Sequence, residues 1–294
     1  MTSSANSRVP FAVSGATGGV GGRVAARLAD LGYAQRLIVR DGSRAPDLAG
    51  ADVSVGSYED PRSMREALEG VETFFMVSGG EAHDRLRQHR DAVDAAVSAG
   101  VGRIVYLSFV EAAPDSTFTF ARDHWHTEQH VRDSGLRFTF LRDSMYLDFL
   151  PGMVGPDGVI RGPAGDGRVA AVARDDIADA AIAVLTGDGH DGRTYNLTGP
   201  EAISFHQAAE ELSRVAGREI SYHPETLEEA YESRSGYGAP DWVVEGWVTS
   251  YAEVANGELD VVSDAVRELT GHEPMSLGEF LSRYPESYQH LVEG

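Results

Sequence analysis

Residues Phe11 to Gly22, FAVSGATGGVGG, constrain the fold of this chain more than any other stretch. The run Phe11-Ala12-Val13 is apolar without alternation, the pattern of a central parallel strand covered on both faces. Gly15, Gly18 and Gly21 follow at three-residue spacing. Val20, Val24, Leu28 and Leu31 then recur at helical spacing and predict a helix with one apolar face. Strand, glycine turn and helix in that order suit a dinucleotide's pyrophosphate. Glycines let the backbone approach the ligand, and unpaired N–H groups at the helix start attract its charge. The spacing is GxxGxxG rather than GxGxxG, so the flanking strand and helix carry the reading. The plain alternative is a ligand-free glycine turn in an α/β protein.

The next segments repeat the theme. Gln35 to Arg40 reads as a second strand, whose end faces the adenosine ribose in a dinucleotide fold. An acidic residue there would bond the 2′-hydroxyl of NAD. This chain has Arg40, with Arg44 four residues on, and arginine suits a 2′-phosphate. NADP(H) is therefore expected in preference to NAD(H), with Asp41 next door acting against it. Asp52 to Val55 is a short third strand. The loop at Ser57-Tyr58 is where an adenine ring would lie, although Tyr58 could equally be a packing residue. Asp60-Pro61 starts a helix held on the sheet by Met64, Leu68 and Val71.

Thr73 to Val77 is a fourth, wholly apolar strand. It ends at Ser78-Gly79-Gly80, small residues that let a nicotinamide ribose come close. A helix follows from Asp84 to Ala99, with Leu86, Val93, Ala96 and Val97 inward and Gly100 as its cap. Arg103 to Ser108 is a fifth strand, Phe118 to Ser134 a long helix and Arg137 to Leu141 a sixth strand. This alternation predicts an α/β fold built on a Rossmann-type, doubly wound parallel sheet.

After Pro151 glycines punctuate a loop or hairpin region up to Gly167, of the kind that often forms substrate-side loops. Arg174 to Leu185 is a helix and Thr194 to Leu197 a strand. From Ser204 the chain reads as a smaller, mainly helical lobe, with helices near 205–216, 225–235, 240–256, 260–270 and 276–284 and a strand at Glu219 to Tyr222. Trp242, Trp247, Tyr237 and Tyr251 fall in this lobe, as core packing or as an aromatic wall over a substrate cleft. The expected division is a tail at 1–8, a dinucleotide-binding domain at 9–150 with a further strand and helix from 168–200, and substrate-side loops with a small C-terminal lobe at 151–294.

Composition removes several classes of chemistry. The chain has no cysteine, so disulfides, thiolate metal sites and cysteine nucleophiles are excluded. His126 and His130 share a helix face, but there is no HExxH pattern and no metal is expected. A net charge of −21 with no basic patch argues against nucleic acid. No apolar run is long enough to span a bilayer, and the first residues lack the apolar core of a secretory signal. A cytoplasmic protein without membrane contact is expected.

The chain also has no lysine: all 25 of its Lys and Arg residues are arginine. Carbonyl reduction by short-chain dehydrogenases uses a Tyr-x-x-x-Lys pair, in which lysine lowers the tyrosine's pKa. That pair cannot exist here. Ser108 stands at a strand end where the companion serine would lie, but the helix from Arg122 to His130 has no tyrosine. Quinone reduction demands less. A quinone accepts hydride directly and yields a stabilised hydroquinone anion that water can protonate. Tyr146 and His124 are the candidate proton donors, each with a structural reading beside the chemical one.

These segments together resemble the NmrA-like, atypical short-chain dehydrogenase family. The resemblance rests on GATGGVG at 15–21, the Arg40 strand end, YEDPRSMREALEGVETFFMVS at 58–78 and the stretch from Gln88 to Leu141. It continues through GPAGDGRVAAVARDDIADAA at 162–181, GRTYNLTGP at 192–200 and VRELTGHEPMSLGEFL at 266–281. Within the family the chain looks most like the type 2 NAD(P)H:quinone oxidoreductases. The resemblance implies a Rossmann domain, a small C-terminal lobe and a cleft between them. By motif position, Gly15, Ala16, Thr17, Gly18, Gly19 and Val20 would hold the pyrophosphate and Arg40 the 2′-phosphate. Ser57 and Tyr58 would meet the adenine, and Ser78, Gly79 and Gly80 the nicotinamide ribose. Asp143, Ser144 and Met145, within the segment reaching Asp148, would close over the nicotinamide end together with Arg174.

Three positions depart from the pattern: Gln129 replaces a lysine, Asp143-Ser144 an Asn-Gly pair, and Ser57 an acidic residue. The implied activity is NADPH-dependent hydride transfer to a quinone or similar planar, aromatic small molecule. The alternative is a non-catalytic NADP(H) sensor that regulates a partner protein. A reductase of one aromatic metabolite would share the same cofactor site. A homodimer is also expected.

Overall fold

The computed structural model describes residues 9–292, so the expected N-terminal tail at 1–8 lies outside the described residues. In chain order the first elements are β1 (Val9–Ser14), α1 (Gly19–Asp30), β2 (Gln35–Val39), β3 (Ala51–Val55), α2 (Pro61–Leu68) and β4 (Val71–Val77). Then come α3 (Arg85–Ser98), β5 (Arg103–Phe109), α4 (Thr119–Asp133), β6 (Arg137–Asp143), β7 (Val159–Gly162), β8 (Arg168–Val169), α5 (Arg174–Thr186) and β9 (Arg193–Leu197). The remainder is β10 (Ile203–Ser204), α6 (Phe205–Ala216), β11 (Ser221–Pro224), α7 (Leu227–Ser235), α8 (Asp241–Ala255), α9 (Ala265–Thr270), α10 (Leu277–Arg283) and α11 (Gln289–Val292).

Two compact units interleave along the chain. The first holds residues 9–108, Asp123–Arg142 and Ile177–Tyr195; the second holds Phe109–Arg122, Asp143–Asp176 and 196–292. The expected boundary at residue 150 therefore falls inside the second unit, which first takes up chain at Phe109. The predicted doubly wound, Rossmann-type sheet is present. Its seven strands run in the order β3-β2-β1-β4-β5-β6-β9. β1 pairs in parallel with β2 and β4, β2 with β3, and β4 with β5. Strand order reverses at β1 and β4, so the crevice beyond their carboxyl ends is the natural ligand position in such a sheet.

The first unit's core stacks Phe74, Met76, Ile104, Tyr106 and Phe140 with Met64, Leu68, Val93 and Ala96 from α2 and α3. Two helix faces differ from expectation. Leu31 lies past the end of α1 and is 58% exposed, so Ala25 joins Val20, Val24 and Leu28 on the buried face. On α3 Val97 is 42% exposed, and the buried stripe is Arg85, Gln88, His89, Ala92, Val93, Ala95 and Ala96. Val71 opens β4 instead of closing α2. At the sheet's far edge β3 leaves Val53 and Val55 exposed.

The second unit is mainly helical, around Phe205, Leu212, Leu150, Ile160, Val254, Phe280 and Leu281. Part of the glycine-rich region is strand: β7 pairs in parallel with β11. Gly162 is needed there because a Cβ would meet the Tyr251 ring at 2.2 Å. Trp242 stands edge-on to Phe120 and Trp247 to Tyr237, while Tyr251 packs on Phe205. Of the predicted helix at 260–270 only Ala265–Thr270 forms. Among the described residues no helix is long and apolar enough to cross a membrane.

Candidate functional site

The turn after β1 is shaped for an anion. Gly15 has φ +63°, a left-handed conformation that favours glycine, and its carbonyl accepts from Gly18 N–H at 2.8 Å. A Cβ at Gly21 would sit 2.4 Å from the Gly15 oxygen, so only glycine lets α1 start this close to the turn. Gly18 caps α1 without any side-chain hydrogen bond. Among the described residues no side chain caps the helix's first N–H groups, and Gly15, Thr17, Gly18 and Gly19 are exposed beside them while Ala16 and Val20 are buried. A twelve-residue helix with an open, glycine-lined start fits a pyrophosphate.

Arg40 follows β2, is exposed and has no hydrogen-bond or ion-pair partner among the described residues. Asp41 is turned away to its own chain: its Oδ1 accepts from Ser43 N–H at 3.0 Å and Ser43 Oγ at 2.7 Å. Those bonds hold its carboxyl below the ordinary carboxylate range, with Arg44 adding to them. Ser57 sits in the turn before α2, its N–H donating to Ser63 Oγ. Tyr58 is half-buried, with its hydroxyl donating to the Val77 carbonyl at 2.8 Å and lying 2.6 Å from Ser14 Oγ. It thus ties the ends of β1 and β4 together.

Ser78, Gly79 and Gly80 leave β4 beside that tie. The Gly79 backbone is held on both sides from α3. Its N–H donates to His89 Nε2 at 2.8 Å, and its carbonyl accepts from Arg85 Nε at 3.0 Å. His124 is buried as well: Nε2 lies 2.9 Å from Arg85 Nη2 and Nδ1 lies 2.9 Å from the Tyr106 hydroxyl. Burial, then the Arg85 charge, pushes both imidazoles well below their ordinary pKa, so they are neutral. Burial raises the Asp123 carboxyl above its usual range against the pull of Arg85, 3.6 Å away.

Ser108 is fully buried and donates to Glu128 Oε1 at 2.7 Å. Glu128 is fully buried too, and the Arg142 fork meets both its oxygens, at 2.8 and 2.7 Å. Ser108, Glu128 and Arg142 thus form one internal, charge-paired cluster.

In the second unit Tyr146 donates its hydroxyl proton to Asp143 Oδ2 at 2.5 Å. Burial and the Asp143 charge raise this phenol's pKa well above its usual value. Ser144 and Met145 are buried, and Ser144 N–H bonds the Leu197 carbonyl. Arg174 pairs with Asp148 at 3.2 Å and lies 4.9 Å from the ring centres of both Tyr146 and Phe149. Phe149 is 49% exposed. A row of rings, Phe109, Phe118, Phe120 and Trp242, meets edge to face at 5.5 to 6.2 Å, and all but Phe120 are half-buried.

Arg85, His89, Tyr106, Thr127, Glu128 and Arg142 carry polar roles that sequence reasoning did not assign. One signal was available: Arg85 and His89 are four apart, on one face of α3.

A family model described as NAD(P)H-binding matches residues 15–188. Quinone oxidoreductase 2 of Escherichia coli is 33% identical over 280 residues, covering 92% of this chain and 97% of that protein. A crystal structure of the E. coli NADPH-dependent quinone oxidoreductase with NADPH gives a TM-score of 0.84 at 31% identity, over 93% of this chain and 99% of that one. The NAD(P)H azoreductase of Xenophilus azovorans is 30% identical over 281 residues, 94% of this chain and 98% of its own. The Citrobacter triphenylmethane reductase complexed with NADP(H) gives a TM-score of 0.83 at 32% identity, over 93% and 99% of the two chains.

Proposed function

The chain belongs to the NAD(P)H-binding family, as an NmrA-like atypical short-chain dehydrogenase and an NAD(P)H-dependent oxidoreductase, and from this premise we propose that it passes hydride from NADPH to a quinone or similar planar electrophile. The observation that carries the proposal is the commitment of its candidate acids. The Ser108 hydroxyl donates to Glu128, the Tyr146 hydroxyl donates to Asp143, and both nitrogens of neutral His124 are engaged. An acceptor whose reduced form water can protonate needs none of them.

The bound dihydronicotinamide supplies the hydride. The chain's own residues bind and orient it. The open start of α1 and Gly15 to Val20 hold the pyrophosphate. Arg40 meets the 2′-phosphate, a reading supported by its exposure and by the diversion of Asp41 to Ser43. Ser57 and Tyr58 lie on the adenine side, and Ser78 to Gly80 receive the nicotinamide ribose. Asp143, Ser144, Met145 and Arg174 belong to the nicotinamide end. Half-buried Phe109, Phe118 and Trp242, with exposed Phe149, offer flat apolar surface of the kind a planar acceptor stacks on.

The test is oxidation of NADPH and NADH by the purified protein with 1,4-naphthoquinone and with an azo dye. NADPH turnover with either acceptor is expected; binding of NADPH without turnover of any quinone, azo dye or enone overturns the reading. Arg40→Ala is expected to remove most of the preference for NADPH, and an undiminished preference counts against the phosphate assignment.

A further inference from the structure

The backbone N–H and carbonyl of Gly79 close a ring of buried hydrogen bonds. The N–H can only donate, so His89 Nε2 accepts and the imidazole proton lies on Nδ1. That Nδ1–H points at Thr127 Oγ1, 3.0 Å away, while Thr127 gives its own proton to the Asp123 carbonyl at 2.7 Å. The Arg85 guanidinium can only donate, so His124 Nε2 accepts and His124 Nδ1–H donates to the Tyr106 oxygen. The Tyr106 oxygen also lies 3.4 Å from His89 Nδ1, so it accepts from both imidazoles and links them. Arg85 Nε then returns to the Gly79 carbonyl. The directions are mutually consistent around the whole ring, and His89, His124, Tyr106 and Thr127 are all buried.

We infer that Arg85 and His89 are positioning residues that fix the Ser78–Gly80 turn for the nicotinamide half of the dinucleotide, with Tyr106, Thr127 and His124 fixing them in turn. The inference rests on the proposed placement of the nicotinamide ribose at this turn. Neither side chain needs to touch the cofactor. Each acts through the backbone of one residue, Gly79, whose N–H and carbonyl are both bonded to side chains of α3. A Cβ at Gly79 would stand 3.3 Å from His89 Nε2, so the close seating of the imbedded ring and the glycine go together.

Two ligands separate this role from general loss of structure: NADPH, and 2′,5′-ADP, which lacks the nicotinamide half. Both affinities are measured by calorimetry on the full chain, with hydrogen exchange at Gly79 followed alongside. His89→Leu is expected to weaken NADPH about ten-fold while leaving 2′,5′-ADP unchanged. His89→Gln, whose Oε1 can still accept from Gly79 N–H, is expected to recover most of that loss. Tyr106→Phe keeps the ring's shape, and removes a link without emptying the core. It is expected to weaken NADPH selectively and to speed exchange at Gly79 even if the leucine variant fails to fold. NADPH affinity unchanged in Tyr106→Phe, with no faster exchange at Gly79, overturns the inference, as does equal loss of both ligands in that variant. A wild-type chain that binds 2′,5′-ADP with the same affinity as NADPH sinks instead the placement on which the inference rests.

Discussion

The Tyr146 hydroxyl donates a hydrogen bond to Asp143 Oδ2 across 2.5 Å. A tyrosine so placed is a poor acid near neutral pH, because releasing its proton elsewhere would put two negative charges side by side. Tyr146→Phe is therefore expected to keep quinone turnover within about three-fold of wild type. Steady-state kinetics check this; a large fall in kcat that follows the pH of the assay would make Tyr146 the acid.

Gly21 is the least replaceable position of the first turn. Gly21→Ala puts a methyl group 2.4 Å from the Gly15 oxygen, and backbone must move. A loss of about 1–3 kcal/mol is expected, as for other overpacked sites, together with weaker NADPH binding. Urea denaturation with and without NADPH measures both.

Glu128 is the hub of a buried ion pair. Arg142→Met leaves its carboxylate enclosed with only Ser108 and the more distant Arg132, 3.4 Å away, as partners. Removing one member of such a pair costs about 3–5 kcal/mol. Ser108→Ala removes one hydrogen bond and is expected to cost only about 1–2 kcal/mol. Urea melts of the two variants should rank them in that order, and the reverse order would contradict the cluster's charge pairing.

Acid should loosen the first unit from below neutrality. His89 and His124 have folded pKa values depressed by burial and Arg85, whereas the unfolded histidines titrate near 6.5. Below that pH the unfolded chain binds protons that the folded chain refuses, so stability falls as pH falls. Each histidine contributes a slope of about 1.4 kcal/mol per pH unit once its unfolded form is protonated. Their stabilisation is fully present above the unfolded pKa. Urea melts between pH 7.5 and 5.5 should show this loss, and His89→Gln should reduce the slope by the share of one proton.

Local signals and distant ones differed in what they revealed. The strand, turn and helix from Phe11 to Leu28 were legible because sequence neighbours enforce them: short apolar strand, glycines, helical period. So was the sheet, since each strand–helix repeat announces itself. The polar interior was not. Apolar periodicity placed Val97 inward on α3 and overlooked Arg85 and His89, because it has no way to see hydrogen bonds that make a buried polar side chain acceptable. The interior partners of Ser108 and His124 come from segments 20 and 39 residues away, and nothing local marks them. β7 was hidden in a glycine-rich run because its partner β11 lies about 60 residues on and supplies the pairing that composition argued against.

The bare rim of the sheet has a cost that catalysis does not reveal. β3 is an end strand whose Val53 and Val55 stand 47% and 60% exposed, and an open strand with apolar side chains is a template for another chain. The chain's charge of −21 opposes the approach of a second copy. That protection is colloidal and depends on ionic strength: in about 1 M salt the screening length shrinks to roughly 3 Å. With that repulsion gone, the exposed Val53 and Val55 are left without a guard.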